Sequence, residues 1–197
     1  MSFNVDSFRT QMNFDGARPN LFEVILDFPN YVTLGRLAGR SSRFFCKTSS
    51  LPGSTIGAVT VPYFGREVKV AGNRTFADWS VTVINDEDFI FRNAFENWHR
   101  GINENRRNLR SPSAEGVSPA TPGRSYAVDA EVYQYSKMGG RPIKKYKFVG
   151  MFPTDIAAID LDWGSNDTIE EFTVTFAYQY WTTLDSTQSN PRSGIRL

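Results

Sequence analysis

His99 and Cys46 are the only histidine and the only cysteine in the chain, and they limit the chemistry it could perform. A lone histidine could act as a general acid or base near neutral pH. A site with two histidines from one chain is excluded, as is an intrachain disulfide. Cys46 falls in a strand-like run and reads as a small core residue, because a nucleophilic thiol needs an electropositive, accessible setting. Asp160 and Asp162 lie two apart, which puts both on one face of a strand. Glycosidase carboxylates instead face each other across a cleft, so these two read as solvated strand-face acids. Met138-Gly139-Gly140-Arg141 lacks the Lys-Ser/Thr of a phosphate loop and falls at a hairpin turn. No catalytic constellation, cofactor site or metal site emerges, and the expectation is a protein that is not an enzyme.

The elements that would position these residues are mostly strands. Alternation predicts strands at 21–28, 43–48, 76–84, 126–135, 144–152, 156–163 and 171–181. In the sixth of these, Ile159, Leu161 and Trp163 alternate with the two acids. Between 54 and 73 short apolar pieces are broken by Gly57, Pro62, Gly65 and Gly72, which predicts a long protruding hairpin whose apolar side chains need a partner. One helix is expected over 87–103, where Phe91, Phe95, Trp98 and Ile102 form a single stripe and Asn85 or Asp86 can cap the start. Gly35–Arg40 reads as a loop, residues 104–125 as an irregular Pro/Gly connector, 1–16 as an arm and 185–197 as a polar tail. One domain over 17–184 results, an antiparallel β-sandwich or partly open barrel with one flanking helix.

Composition supports assembly more than ligand binding. The 197 residues carry 16 Phe, 8 Tyr and 4 Trp, large rings that suit sheet cores and subunit contacts. A net charge of +1 predicts neither nucleic-acid affinity nor disorder. No apolar run reaches the roughly 18 residues of a membrane span, and the N-terminus lacks a signal-peptide core, so a soluble cytoplasmic protein is expected. Charge is unevenly placed, with no Lys or Arg from 150 to 191 and a basic excess over 100–147. Pairing of Lys145 or Lys147 with an acid on the adjacent strand is the simple account.

Several runs resemble the tail tube proteins of T4-like contractile phages. They are Ala17-Arg18-Pro19-Asn20-Leu21-Phe22, Phe45-Cys46-Lys47-Thr48, and above all the run from Val70 through Asn73-Arg74-Thr75-Phe76-Ala77-Asp78-Trp79 to Asp86. Leu161-Asp162-Trp163-Gly164-Ser165-Asn166 and Phe172-Thr173-Val174-Thr175-Phe176 follow in the same order. The resemblance implies a β-sandwich with a flanking helix, sixfold rings whose sheets join into an inner barrel, and rings stacked inside a contractile sheath. The implied partners are further copies of the chain, a sheath protein, a tape-measure protein in the lumen, baseplate or tube-initiator and terminator proteins, and DNA as transient, non-specific cargo. Tyr63, Phe64, Val68 and Val70 are the expected inter-ring anchors. Asp160, Asp162, Thr173 and Thr175 are the expected lumen-facing residues. The inner tube of a related injection or secretion system is the alternative. A monomeric carbohydrate-binding module, with Trp79, Trp163 and Trp181 as a stacking platform, is the reading from another class.

Overall fold

A computed structural model describes residues 4–12, 16–114, 116 and 125–184. The expected tail at 185–197 and most of the connector after 114 lie outside the described residues. Nine strands and three helices follow in the order α1 (Val5–Gln11), β1 (Phe22–Leu26), α2 (Gly35–Phe45), β2 (Cys46–Ser49), β3 (Thr55–Tyr63), β4 (Arg66–Thr75), β5 (Trp79–Ile84), α3 (Ile90–Ile102), β6 (Val128–Gln134), β7 (Lys144–Ile156), β8 (Glu171–Ala177) and β9 (Tyr180–Thr183).

Strand β7 organises the fold by serving two four-stranded leaves. Its first half pairs with β6 and β9, and β6 pairs with β1, giving leaf A. Its second half pairs with β8, which continues to β5 and β2, giving leaf B. All these pairings are antiparallel, in keeping with the mainly β, antiparallel architecture expected. The crossing point is Gly150, whose φ of 66° is a conformation that side-chain-bearing residues rarely adopt. One core lies between the leaves. Val24, Leu26, Val132 and Phe148 enter it from leaf A, and Trp79, Val81, Val83, Phe172, Val174 and Phe176 from leaf B. Helix α3 closes it with Phe91, Phe95 and Trp98, all fully buried, and Phe95 meets the rings of Phe172 and Phe176 at 6.2 and 5.9 Å.

Five expectations need correction. Helix α2 replaces the expected loop at 35–40 and takes over the start of the expected strand at 43–48. Its buried residues are Gly35, Ala38 and Ser42, a stripe of small side chains that a search for large apolar residues overlooks. Smallness is needed here: a Cβ on Gly39 would lie 2.9 Å from the Leu26 carbonyl oxygen. The arm holds the short helix α1, every residue of which is exposed. Helix α3 starts later than expected, at Ile90, whose N–H donates to Asp86 Oδ1 at 3.0 Å. The expected strand at 156–163 does not form. β7 ends at Ile156, residues 157–170 form a loop, and Leu161 and Trp163 are 81% and 101% exposed rather than core. The expected strand at 171–181 breaks after Ala177, and β9 turns back to pair with the leaf-A half of β7.

Helix α2 also seals one sheet edge. Ser42 Oγ accepts from Leu26 N at 3.1 Å and lies 3.2 Å from the Val24 carbonyl oxygen, both on the outer edge of β1. A covered edge cannot recruit another strand. Ser42→Ala is expected to lower stability by about 1–3 kcal/mol, because it leaves buried backbone groups unpaired. The midpoint of urea unfolding should fall while the slope stays unchanged.

Candidate assembly interfaces

The residues with chemical potential are dispersed. Cys46 is buried, and burial pushes its thiol up to about 12, so no thiolate forms near neutral pH. His99 is half-buried on α3. Burial lowers its pKa, opposed by a hydrogen bond to the Pro153 carbonyl and by the charge of Asp155. Asp160 and Asp162 sit in the 157–170 loop, where Asp162 Oδ1 accepts from Gly164 N at 3.0 Å in a local turn. The described residues contain no group of acids, His or Cys placed to hold a metal ion, and no helix among them is long and apolar enough to cross a membrane. The three tryptophans of the stacking-platform reading do not share a surface. Trp79 is buried, Trp163 projects from a loop, and Trp181 lies under the Arg74 guanidinium at 4.9 Å.

What the structure does build is a hairpin with an uncovered apolar face. Among the described residues, strands β3 and β4 pair only with each other, and β4 alone has ten residues, a length of roughly 33 Å. Directly opposed residues share a face. The register sets Val59 against Val70 and Val61 against Val68, with Tyr63 next along that face. The other face carries Thr60, Lys69, Pro62 and Glu67. The four valines are each about half exposed, although an apolar face of this kind is normally buried. Val59 and Val61 thus join the four anchors expected from sequence; pairing, which alternation alone does not give, assigns them to that face.

The tip is unusual. Phe64 and Gly65 have φ of 42° and 82°, the two positive values of a type I′ turn, where Asn-Gly or Asp-Gly is favoured. A phenylalanine there carries a backbone cost of about 1–2 kcal/mol, and its ring is 93% exposed. The Phe64 ring stands edge-on to Tyr63 with centroids 4.7 Å apart. A strained, solvent-facing aromatic at a protruding tip does nothing for the isolated subunit.

Thr173 and Thr175 lie on the outer face of leaf B, opposite Thr82 and Ser80. The hydroxyls of Thr82 and Thr173 are 3.2 Å apart, and those of Ser80 and Thr175 are 3.4 Å apart. Lys47 and Glu171 flank this hydroxyl face as an ion pair. Asp160 and Asp162 are not on it, so the four candidates divide between a sheet face and a loop. Of the expected cross-strand charge pairs, Lys147 meets Asp129 at 2.8 Å on the outer face of leaf A.

Direction within leaf B fixes which features share an end. Strands β2, β5, β8 and β7 alternate. The start of β2, where α2 arrives, and the end of β7, where the 157–170 loop departs, therefore lie at one end of the leaf but on its opposite edges. The hairpin leaves from the other end, between β2 and β5.

Residues 17–184 match the family model described as phage tail tube protein. The chain belongs to the phage tail tube protein family. It is 33% identical to the tail tube protein gp19 of Enterobacteria phage T4 over 85% of this chain and 91% of that one. Two solved chains share the fold at much lower identity, both from an extracellular contractile injection system called PVC. The sheath/tube terminator has a TM-score of 0.58 at 10% identity, covering 86% of this chain and 97% of its own. The sheath-tube complex has a TM-score of 0.56 at 12% identity, covering 92% and 98%. The tail tube relatives are structural proteins, which fits a molecule whose distinctive surfaces are a hairpin and sheet edges.

Proposed function

We propose that this chain is the repeating subunit of a contractile phage tail tube, closing into hexameric rings that stack through the 54–73 hairpin, and that it is not an enzyme. The observation that carries this reading is the uncovered apolar face of the hairpin, Val59, Val61, Tyr63, Val68 and Val70, with Phe64 at its tip. A two-stranded ribbon is marginal alone in water, so this one is built to be covered, and the next ring supplies the cover. Ring closure uses the edges of leaf B, since α2 seals the outer edge of β1. The β2 edge of one copy meets the β7 edge of the next, antiparallel, in a heterologous contact that closes when the rotation fits.

In that arrangement the outer face of leaf B lines the bore. Ser80, Thr82, Thr173 and Thr175 offer hydroxyls, and Lys47 is already paired with Glu171. A wall without free cations gives phosphate little to bind, as passage of DNA as transient cargo requires, and hydroxyls also suit a tape-measure protein held in the lumen. Sheath, baseplate or initiator, and terminator proteins complete the partner set. Identity to the T4 tube protein is well above that to the injection-system chains, which favours the phage tail over the injection tube. The test is negative-stain imaging of the purified full chain, alone and with its tube initiator. Rings and tubes are the expected result; a monomer under every condition overturns the reading.

A further inference from the structure

We propose that α2 of each copy is the docking site for the 157–170 loop of the neighbouring copy in the ring, a contact of basic and apolar groups against acidic and apolar ones that locks the joined sheet edges. The inference rests on reading the chain as a ring subunit, and three observations support it.

The loop is anchored at its ends, where Ile159 packs on the core and Asn85 donates to Glu170, but its middle is unsatisfied by its own chain. Leu161, Trp163 and Ile169 are largely or fully exposed, and Asp160, Asp162 and Asp167 form no ion pair among the described residues. A fully exposed tryptophan beside carboxylates is a contact element awaiting a surface.

Helix α2 presents the complementary surface. Arg36 and Arg40 form no ion pair among the described residues, and Leu37 and Phe44 are exposed beside them, Phe44 to 82%. With Phe28, Pro29 and a single acid, Asp27, these side chains line an open groove of about 920 Å³, in which Arg36 and Arg40 leave a basic excess. The groove can take an indole, and a guanidinium over an indole face adds a cation–π attraction.

Topology brings the two surfaces together between copies and keeps them apart within one. Helix α2 feeds directly into β2, one edge of leaf B, and the loop leaves β7, the opposite edge. The two edges are three strand spacings apart, roughly 14 Å. Both lie at the same end of the leaf, so antiparallel pairing of one copy's β2 with the next copy's β7 sets the neighbour's loop against α2. The opposite signs select this pairing over like-to-like association.

The experiment uses the full chain and counts rings, a readout that does not require stacking. Arg36→Glu with Arg40→Glu, and separately Asp160→Lys with Asp162→Lys, should each raise the concentration needed for ring formation by about tenfold or more. The chain carrying all four substitutions should recover most of that loss. Trp163→Ala keeps every charge and removes no internal contact, and it should weaken rings too. Acrylamide quenching of tryptophan fluorescence should fall on assembly of the unaltered chain, and fall less in Trp163→Ala. Normal rings from all the singly grouped variants, or no recovery in a folded four-substitution chain, overturn the docking while leaving the tube reading intact. Absence of rings from the unaltered chain under every condition, its tube initiator included, overturns the tube reading itself.

Discussion

Removal of Tyr63–Arg66 leaves a folded subunit that closes into rings but builds no tubes. Beyond its base, where Arg74 lies over Trp181, the hairpin pairs only with itself among the described residues. The unfolding free energy should therefore stay within about 0.5 kcal/mol of the parent. Stacking should collapse, since aromatic anchors each contribute about 2 kcal/mol or more at an interface, and the loss recurs at every copy in the ring. A subtler variant separates function from fold. Phe64→Asn supplies the residue a type I′ turn prefers at this position, relieving up to about 1 kcal/mol of backbone cost. The expected outcome is a subunit at least as stable as the parent that stacks less well. Sedimentation and electron microscopy read both variants, and long tubes from either would falsify the assignment of the tip.

Trp79→Ala should have the largest effect on the subunit itself. Trp79 is fully buried on leaf B, yet its ring stacks on Phe148 of leaf A at 4.3 Å and 22°, and it lies 5.5 Å from Phe176. Its Nε1 donates to the Ser50 carbonyl at 3.0 Å, which fixes the chain entering the hairpin. Truncation removes the ring that joins the two leaves and leaves a cavity, at a cost of about 3–5 kcal/mol. Domains of this size have about 5–15 kcal/mol in total, so much of the chain should become insoluble on expression. Trp79→Phe keeps most of the packing and loses the hydrogen bond, and should cost clearly less. Urea unfolding midpoints for the two variants provide the measurement, and similar midpoints would refute the bridging role.

Much of this could be read from the sequence because the core signals are strong. The alternation at Trp79, Val81 and Val83 and the stripe at Phe91, Phe95 and Trp98 come from large side chains with a single period, and each lies in the core. Gly and Pro marked the hairpin for the same local reason. Helix α2 was hidden because its buried stripe is Gly35, Ala38 and Ser42, whose value is closeness to β1 rather than apolar area. The loop at 157–170 departs from the strand that alternation predicts, because Leu161 and Trp163 alternate as core residues do although no strand lies beside them to pair with. Their apolar character serves a surface outside the chain, which single-chain periodicity cannot register. The shared face of Val59, Val61, Val68 and Val70 depends on the β3–β4 register, and register is a property of two strands together.

The departure of the hairpin from one end of leaf B, opposite α2 and the 157–170 loop, makes every stack of such subunits vectorial. One terminus of the filament displays a crown of ribbons with bare valine faces, and the other displays the surface that receives them. The two termini therefore differ in adhesiveness and in what can cap them. An initiator must imitate one and a terminator the other, and a reversed ring finds no partner. Growth from a fixed base then proceeds in a single direction, set by the side of one small sheet from which its longest hairpin emerges.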